Sequence, residues 1–278
     1  MSVAVLTLIV LVGSYFAGLL GSLTGLGGGV VIIPLLTLLL NVNIHYAIGA
    51  ALVSVIATSS GSAVAYVKEG ITNIRLGMFL EIATTIGALA GAMLALHIQT
   101  SVIAVVFGVI LIFSAYMSLR PKSEQVNQQK SILAQKLKLN SSYPVKDQVV
   151  EYGVQNVIGG FFMMLFAGII SGLLGIGSGA LKVVAMDGIM RIPFKASTTT
   201  SNFMIGVTAA ASAVVYLQRG YIDPGLSMPV VIGVLLGALT GSKILVHTQS
   251  SQWLRWVFAV IVTFLASQMI YNGINHKI

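Results

Sequence analysis

Hydrophobic residues run along the chain in blocks of about twenty, the length a helix needs to cross a bilayer, with short polar breaks between them. No formal charge precedes Lys68. The pattern predicts the same series of segments twice. A spanning segment (3–22, then 154–172) ends in a Gly-rich break. The apolar stretch that follows (30–40, then 180–190) is too short to cross alone. Three more spanning segments complete each half: 46–67, 76–97 and 102–119 in the first, 196–217, 226–247 and 253–271 in the second. Apolar and polar residues show no sustained alternation, which argues against a porin-type barrel. The fold class is an all-α polytopic membrane protein.

One segment breaks the apolar pattern. Arg120, Lys122, Lys130, Lys136, Lys138 and Lys146 stand against Glu124, Asp147 and Glu151. The chain therefore divides into a first transmembrane repeat (1–119), a basic linker (120–151) and a second repeat (152–278). The linker is expected to be aqueous, with 129–139 suited to a basic amphipathic helix lying on the membrane. Basic loops stay in the cytoplasm, which places the linker there and the protein in the cell inner membrane.

Sliding the chain against itself by 150 residues reveals an internal repeat. Gly25-Leu-Gly27-Gly28-Gly29 falls on Gly175-Ile-Gly177-Ser178-Gly179. Ser62 to Tyr66 falls on Ser212 to Tyr216, Gly87/Gly91 on Gly237/Gly241, and His97 on His247. The register holds over 18–101 without an insertion. Each repeat thus has four to five transmembrane segments and a broken first helix. Crossing parity follows from the break. One net crossing for the broken pair gives eight crossings and parallel repeats; two give ten crossings and inverted repeats. The positive-inside rule leans to eight, with Lys68, Arg75, Arg219, the linker and Lys277 inside. Lys182, Arg191, Lys195, Lys243 and Arg255 are then left outside or in the membrane.

Composition narrows the function. The chain is 56% hydrophobic and 8% charged, against about 25% charged in soluble domains. A soluble enzyme and a nucleic-acid binder are excluded, and the net charge of +8 reads as orientation and contact with anionic lipid. The absence of Cys removes disulfides and thiolate metal sites. No basic stretch precedes the first apolar block, so no cleaved leader is expected.

The Gly-rich breaks are the candidate site. Non-helical backbone at membrane depth persists only when buried in protein or lining a watery cavity. Each break opens a short helix, whose free amides and positive dipole end favour an anion. Broken helices meeting near the midplane are a known arrangement for transporter substrate sites. The competing reading is close helix packing through small residues, the preferred role of Gly87/Gly91 and Gly237/Gly241. Lys182, three residues past Gly179, is costly in the membrane and would favour an anion; its alternatives are snorkelling or pairing with Asp187. Thr200, Ser201 and Asn202 offer uncharged donors for oxyanion oxygens, or serve as caps and inter-helix bonds. Glu81 is either a coupling carboxylate or, preferred, a partner of Arg75. His97 and His247 read as helix C-terminal caps.

Gly25 to Gly29 with Pro34-Leu35, the partner motif Gly175 to Gly179, and Lys195-Ala-Ser-Thr-Thr-Thr200-Ser201 resemble the TauE/SafE family of sulfite exporters and sulfonate-uptake permeases (TSUP). The resemblance covers both hydrophobic halves. It implies a duplicated inner-membrane carrier of sulfite, sulfoacetate or another sulfonate. The substrate-binding residues expected are Gly25, Gly27, Gly28, Gly29, Gly175, Gly177, Ser178, Gly179, Lys182, Thr200, Ser201 and Asn202, with Glu81 the coupling candidate. No catalytic residue, metal or cofactor is expected. The partners are a small anionic substrate, the lipid bilayer and a coupling ion, H+ or Na+; a homodimer is left open. The alternatives are a carrier of another small oxyanion or a carboxylate, and a passive anion channel. An intramembrane enzyme is disfavoured because HExxH and GxSxG are absent.

Overall fold

A computed structural model describes residues 3–24, 28–68, 70–119, 131–145, 148–247 and 252–277. The first half contains α1 (Val3–Thr24), α2 (Gly29–Pro34), α3 (Ile44–Lys68), α4 (Ile74–Ala95) and α5 (Thr100–Leu119). The second contains α7 (Val157–Leu174), α8 (Gly179–Val183), α9 (Phe194–Gln218), α10 (Pro224–His247) and α11 (Gln252–Ile274). Each short helix runs on as a π-helical turn, Leu35–Leu39 after α2 and Val184–Ile189 after α8. Between the halves lie α6 (Ile132–Lys136) and an antiparallel hairpin, β1 (Ser141–Val145) with β2 (Gln148–Tyr152). Among the described residues, five helices are long and apolar enough to cross a membrane: Ile74–Ala95, Thr100–Leu119, Val157–Leu174, Phe194–Gln218 and Pro224–Gly241. Their outward faces carry large apolar side chains such as Met78, Ile82, Phe162, Phe166 and Leu239. That pattern suits lipid as the solvent.

Glycines set the closest helix contacts. A Cβ at Gly18 would strike the Val234 carbonyl, and one at Gly168 the Thr84 carbonyl. A Cβ at Gly237 would strike the Tyr15 carbonyl, and one at Gly87 the Leu165 carbonyl. These contacts interchange under the 150-residue shift. Helix α1 therefore packs on α10 as α7 packs on α4, each helix crossing to the other half for its partner. The packing role expected of Gly87, Gly91 and Gly237 holds, since a Cβ at Gly91 would meet the Ile169 carbonyl.

The same contacts give the helix directions. Along α4 and α7, Thr84 lies by Gly168 and Ala88 by Gly172, so the two helices run parallel. Along α1 and α10, Leu11 and Tyr15 meet Gly233 while Tyr15 and Leu19 meet Gly237, again parallel. Helices α4 and α9 are parallel too, because Asn73 meets Thr200 and Glu81 meets Thr208. Short turns reverse the chain between α3 and α4 and between α9 and α10. It follows that α1 runs with α3, and α7 with α9. The element between them must return to the side from which the first helix set out. The hydrogen bonds agree: the Gln155 amide donates to the Met190 carbonyl at 3.1 Å, joining the start of α7 to the end of the returning turn.

The broken pair thus makes no net crossing, and the two halves are inverted. The expectation of eight crossings with parallel repeats is corrected. It rested on the distribution of basic residues, which cannot tell whether a short helix completes a crossing or folds back along its neighbour.

The linker carries more structure than the expected surface helix, of which α6 is the described part. Ala134, Leu139, Tyr143 and Tyr152 are buried in one core with Leu76, Leu80, Met186 and Ile192. Asn73 caps α4 through its Oδ1, while its Nδ2 donates to the Leu139 carbonyl at 2.8 Å and to Tyr152 Oη at 3.2 Å. Burial pushes the Tyr152 hydroxyl pKa above its ordinary value. The described part of the linker is therefore a small folded cap at the end of the bundle where α3 meets α4. Ala134 and Leu139 turn inward to that core, whereas Ile132, Leu133 and Leu137 remain exposed.

Candidate functional site

Backbone geometry explains the second break. Gly175 (φ +68°), Gly177 (φ +74°) and Ser178 (φ +46°) all take left-handed conformations. Two of the three are glycine, the residue that adopts this region without a Cβ penalty. The Gly175 amide donates to the Ser171 carbonyl at 2.8 Å and closes α7. The chain then turns sharply and restarts as α8.

The start of α2 meets the second break. A Cβ at Gly29 would lie 3.5 Å from the Gly175 carbonyl oxygen and 3.6 Å from the Ile176 Cα. Beside this meeting point is a hollow of about 10 Å³, lined by Val30 from the first half, Ile110 and Ser114 of α5, and Ile176 with Ser178 to Leu181 from the second. A hollow of that size holds about one water. The Ser178 hydroxyl on its wall is buried and has no hydrogen-bond partner. Gly29 lies at this junction, Gly28 faces Val234 and Ala17 instead, and Gly25 and Gly27 lie outside the described residues.

Lys182 follows directly after Leu181 and is fully buried. Its Nζ donates to Thr208 Oγ1 at 2.5 Å. Thr208 in turn donates to Glu81 Oε1 at 2.7 Å. Thr85 adds a weaker bond to the same oxygen at 3.3 Å. One hydroxyl therefore bridges an ammonium on α8 and a carboxylate on α4. Glu81 is 8% exposed, and its second oxygen, Oε2, has no partner. Burying two charges costs several kcal/mol per ion unless they compensate each other, and here each is the other's compensation. The preferred pairing of Glu81 with Arg75 is corrected: Arg75 is exposed, and Glu81 points into the bundle toward Lys182. Snorkelling of Lys182 is excluded by its burial.

The hydroxyl cluster of α9 divides. Ser201 stays with the break, its Oγ donating to the Gly179 carbonyl at 3.3 Å. Thr200 does not reach it; its Oγ1 accepts the Asn73 amide at 3.0 Å at the start of α4. Asn202 contributes its carbonyl, which accepts from Ser59 Oγ. Ser59 Oγ also accepts the Gly206 amide at 2.9 Å, tying α3 to α9 across the halves. His97 closes its helix end as expected, with Nδ1 3.0 Å from the Met93 carbonyl; the His247 side chain lies outside the described ones. Among the described residues, no group of three or more His, Asp or Glu is placed to hold a metal.

Sequence reasoning missed Thr208 and Ser114. Thr208 gave no signal, being one of several hydroxyl residues on an apolar helix. Only its position between Lys182 and Glu81 distinguishes it.

The family model described as Sulfite exporter TauE/SafE matches residues 10–269. A probable membrane transporter protein of Bacillus subtilis (strain 168), YunE, is 27% identical over 96% of this chain and 98% of its own length. A second from the same organism, YdhB, is 27% identical over 85% of this chain and 89% of its own. A probable membrane transporter protein of Xylella fastidiosa (strain 9a5c) is 24% identical over 96% of each. No solved structure matches the chain.

Proposed function

We propose a substrate and an orientation for this chain, which belongs to the sulfite exporter TauE/SafE family: it is a secondary carrier of small sulfur-containing anions such as sulfite, sulfoacetate or another sulfonate. The observation that carries this reading is Lys182. It is a fully buried cation in an apolar bundle, and its chain neighbour Leu181 lines the hollow between α2 and the second break. Cations at membrane depth mark substrate or ion paths. Ser178 supplies an unspent hydroxyl on the wall of the hollow. The hollow is too small for a sulfonate, so binding requires it to widen. Inverted halves suit such movement, because each can rock against the other about a fixed site. Transport is driven by a coupling ion, H+ or Na+.

The test is uptake of labelled sulfite, sulfoacetate and methanesulfonate into proteoliposomes. Saturable flux with a preference among the anions is expected. Unsaturable flux of all of them would make the protein a channel, and no flux would remove the reading.

Inversion also sorts the charges. The positions of Lys68, Arg75, Arg191, Lys195, Lys243 and Arg255 and the linker fall toward one face; those of Arg219 and Lys277 fall toward the other. By the positive-inside rule the linker face is cytoplasmic and both chain ends lie outside. The chain has no Cys, so single cysteines report the orientation directly. A membrane-impermeant maleimide on intact cells should label Gln99→Cys and not Lys136→Cys; the reverse would invert the assignment.

A further inference from the structure

Glu81, Thr208 and Lys182 form a charge-balanced unit sealed inside the bundle, and its two ends differ. Lys182 Nζ is engaged by Thr208, whereas Glu81 Oε2 is buried and without a partner. The carboxylate can take up a proton there without breaking an existing hydrogen bond. The charged groups around Glu81 are few. Helix α7, packed along α4, has no titratable residue. Helix α9 presents Thr208, while its Lys195 is exposed at the far end and its Tyr216 is engaged with the Leu173 carbonyl. On α4 itself Thr84 and Thr85 are neighbours and Arg75 is exposed. The short α8 brings Lys182, and the turn after it brings half-buried Asp187.

A site in low dielectric tolerates net charge poorly. With Lys182 charged and Glu81 ionised, the empty site is neutral. An anion added to that state leaves a net negative charge, and a proton added alone leaves a net positive one. Adding both restores neutrality: Glu81 carries the proton, Lys182 pairs with the anion, and Thr208 turns its hydroxyl from the carboxylate toward another acceptor, such as the Met204 carbonyl already 2.9 Å away. The two neutral states are the ones in which the bundle can close.

We infer that Glu81 is the proton site and Lys182 the anion counter-charge of one unit, so that one proton moves with each monovalent anion in the same direction. This rests on the transport reading above and adds the coupling ion, the stoichiometry and the charge of the substrate.

The experiment measures labelled methanesulfonate, a monoanion across the working pH range, together with internal pH in the same proteoliposomes. The expected ratio is one proton per anion, with an inward proton gradient driving accumulation and no Na+ requirement. In Glu81→Gln the proton movement disappears and a pH gradient no longer accelerates uptake. Glu81→Asp, which keeps an ionisable group one methylene shorter, retains the ratio of one at a lower rate. Wild-type flux without proton movement, or flux that needs Na+, overturns this inference and leaves the carrier reading standing. Proton movement that persists in Glu81→Gln overturns it as well. The absence of any flux removes both readings. Because the wild-type ratio alone can refute the inference, a poorly folding variant does not shield it.

Discussion

The two halves share a scaffold and differ in chemistry. Gly18 against Val234 repeats as Gly168 against Thr84, and Gly237 against Tyr15 repeats as Gly87 against Leu165. The charged unit has no such counterpart. The repeat mate of Lys182 is Ile32, also fully buried, and that of Glu81 is Val231. Thr58, the mate of Thr208, returns its hydroxyl to its own helix at the Ser54 and Val55 carbonyls, 3.0 and 3.2 Å away. Packing therefore obeys the 150-residue shift while the polar interior departs from it. The frame is pseudo-symmetric, and among the described residues the buried Lys182–Thr208–Glu81 unit breaks that symmetry.

The largest effect should come from making the halves chemically alike. Lys182→Ile installs the first half's residue and leaves Glu81 buried without its partner. Breaking such a pair costs about 3–5 kcal/mol, read as a fall in thermal stability in detergent. Anion binding should weaken roughly 100-fold, as expected for losing about 3 kcal/mol from a charged contact. Adding Glu81→Val removes the stranded carboxylate, so the double variant should regain most of the stability and none of the transport. If stability and transport returned together, the charge pair would be ornamental.

Next come the contacts that are alike. Gly18→Ala and Gly168→Ala each push a methyl into a carbonyl of the partner helix, with overpacking costs of about 1–3 kcal/mol. The two variants should lose similar stability. Unequal losses would show that the halves share a pattern without sharing its energetics.

The smallest effect belongs to the turns. Gly70 (φ +67°) and Gly220 (φ +75°) are repeat mates with nothing within 4 Å of an added Cβ. Alanine at either site meets backbone strain alone, about 1 kcal/mol. A larger loss at one turn would reveal a contact peculiar to that half.

Several features could be read directly from the chain because they depend on local composition. Runs of apolar residues specify helices in a bilayer wherever they fall, and clustered glycines interrupt them. The breaks at 175–179 and the short helix after it belong to this class, as does the close packing at Gly87 and Gly91. Lys182 could be singled out because a cation amid apolar residues is costly in any membrane fold. Its partner could not, since Glu81 lies 101 positions earlier and Arg75 was nearer in sequence. Thr200 and Ser201 are adjacent in the chain yet serve different ends, one the start of α4 and the other the break. Helix phase and inter-helix distance, which composition does not encode, separate them.

The sequence by itself determined that the protein is a helical membrane protein, where its helices break, and which register relates the two halves. Hydrophobicity, backbone conformational preference and repetition are properties of short stretches, and short stretches are what a chain displays. The tertiary structure alone decided that each broken pair folds back, that the halves are inverted, and that Lys182 meets Glu81 through Thr208. Those outcomes arise from helix directions and contacts between residues far apart in the chain, which packing settles only when all the helices are in place.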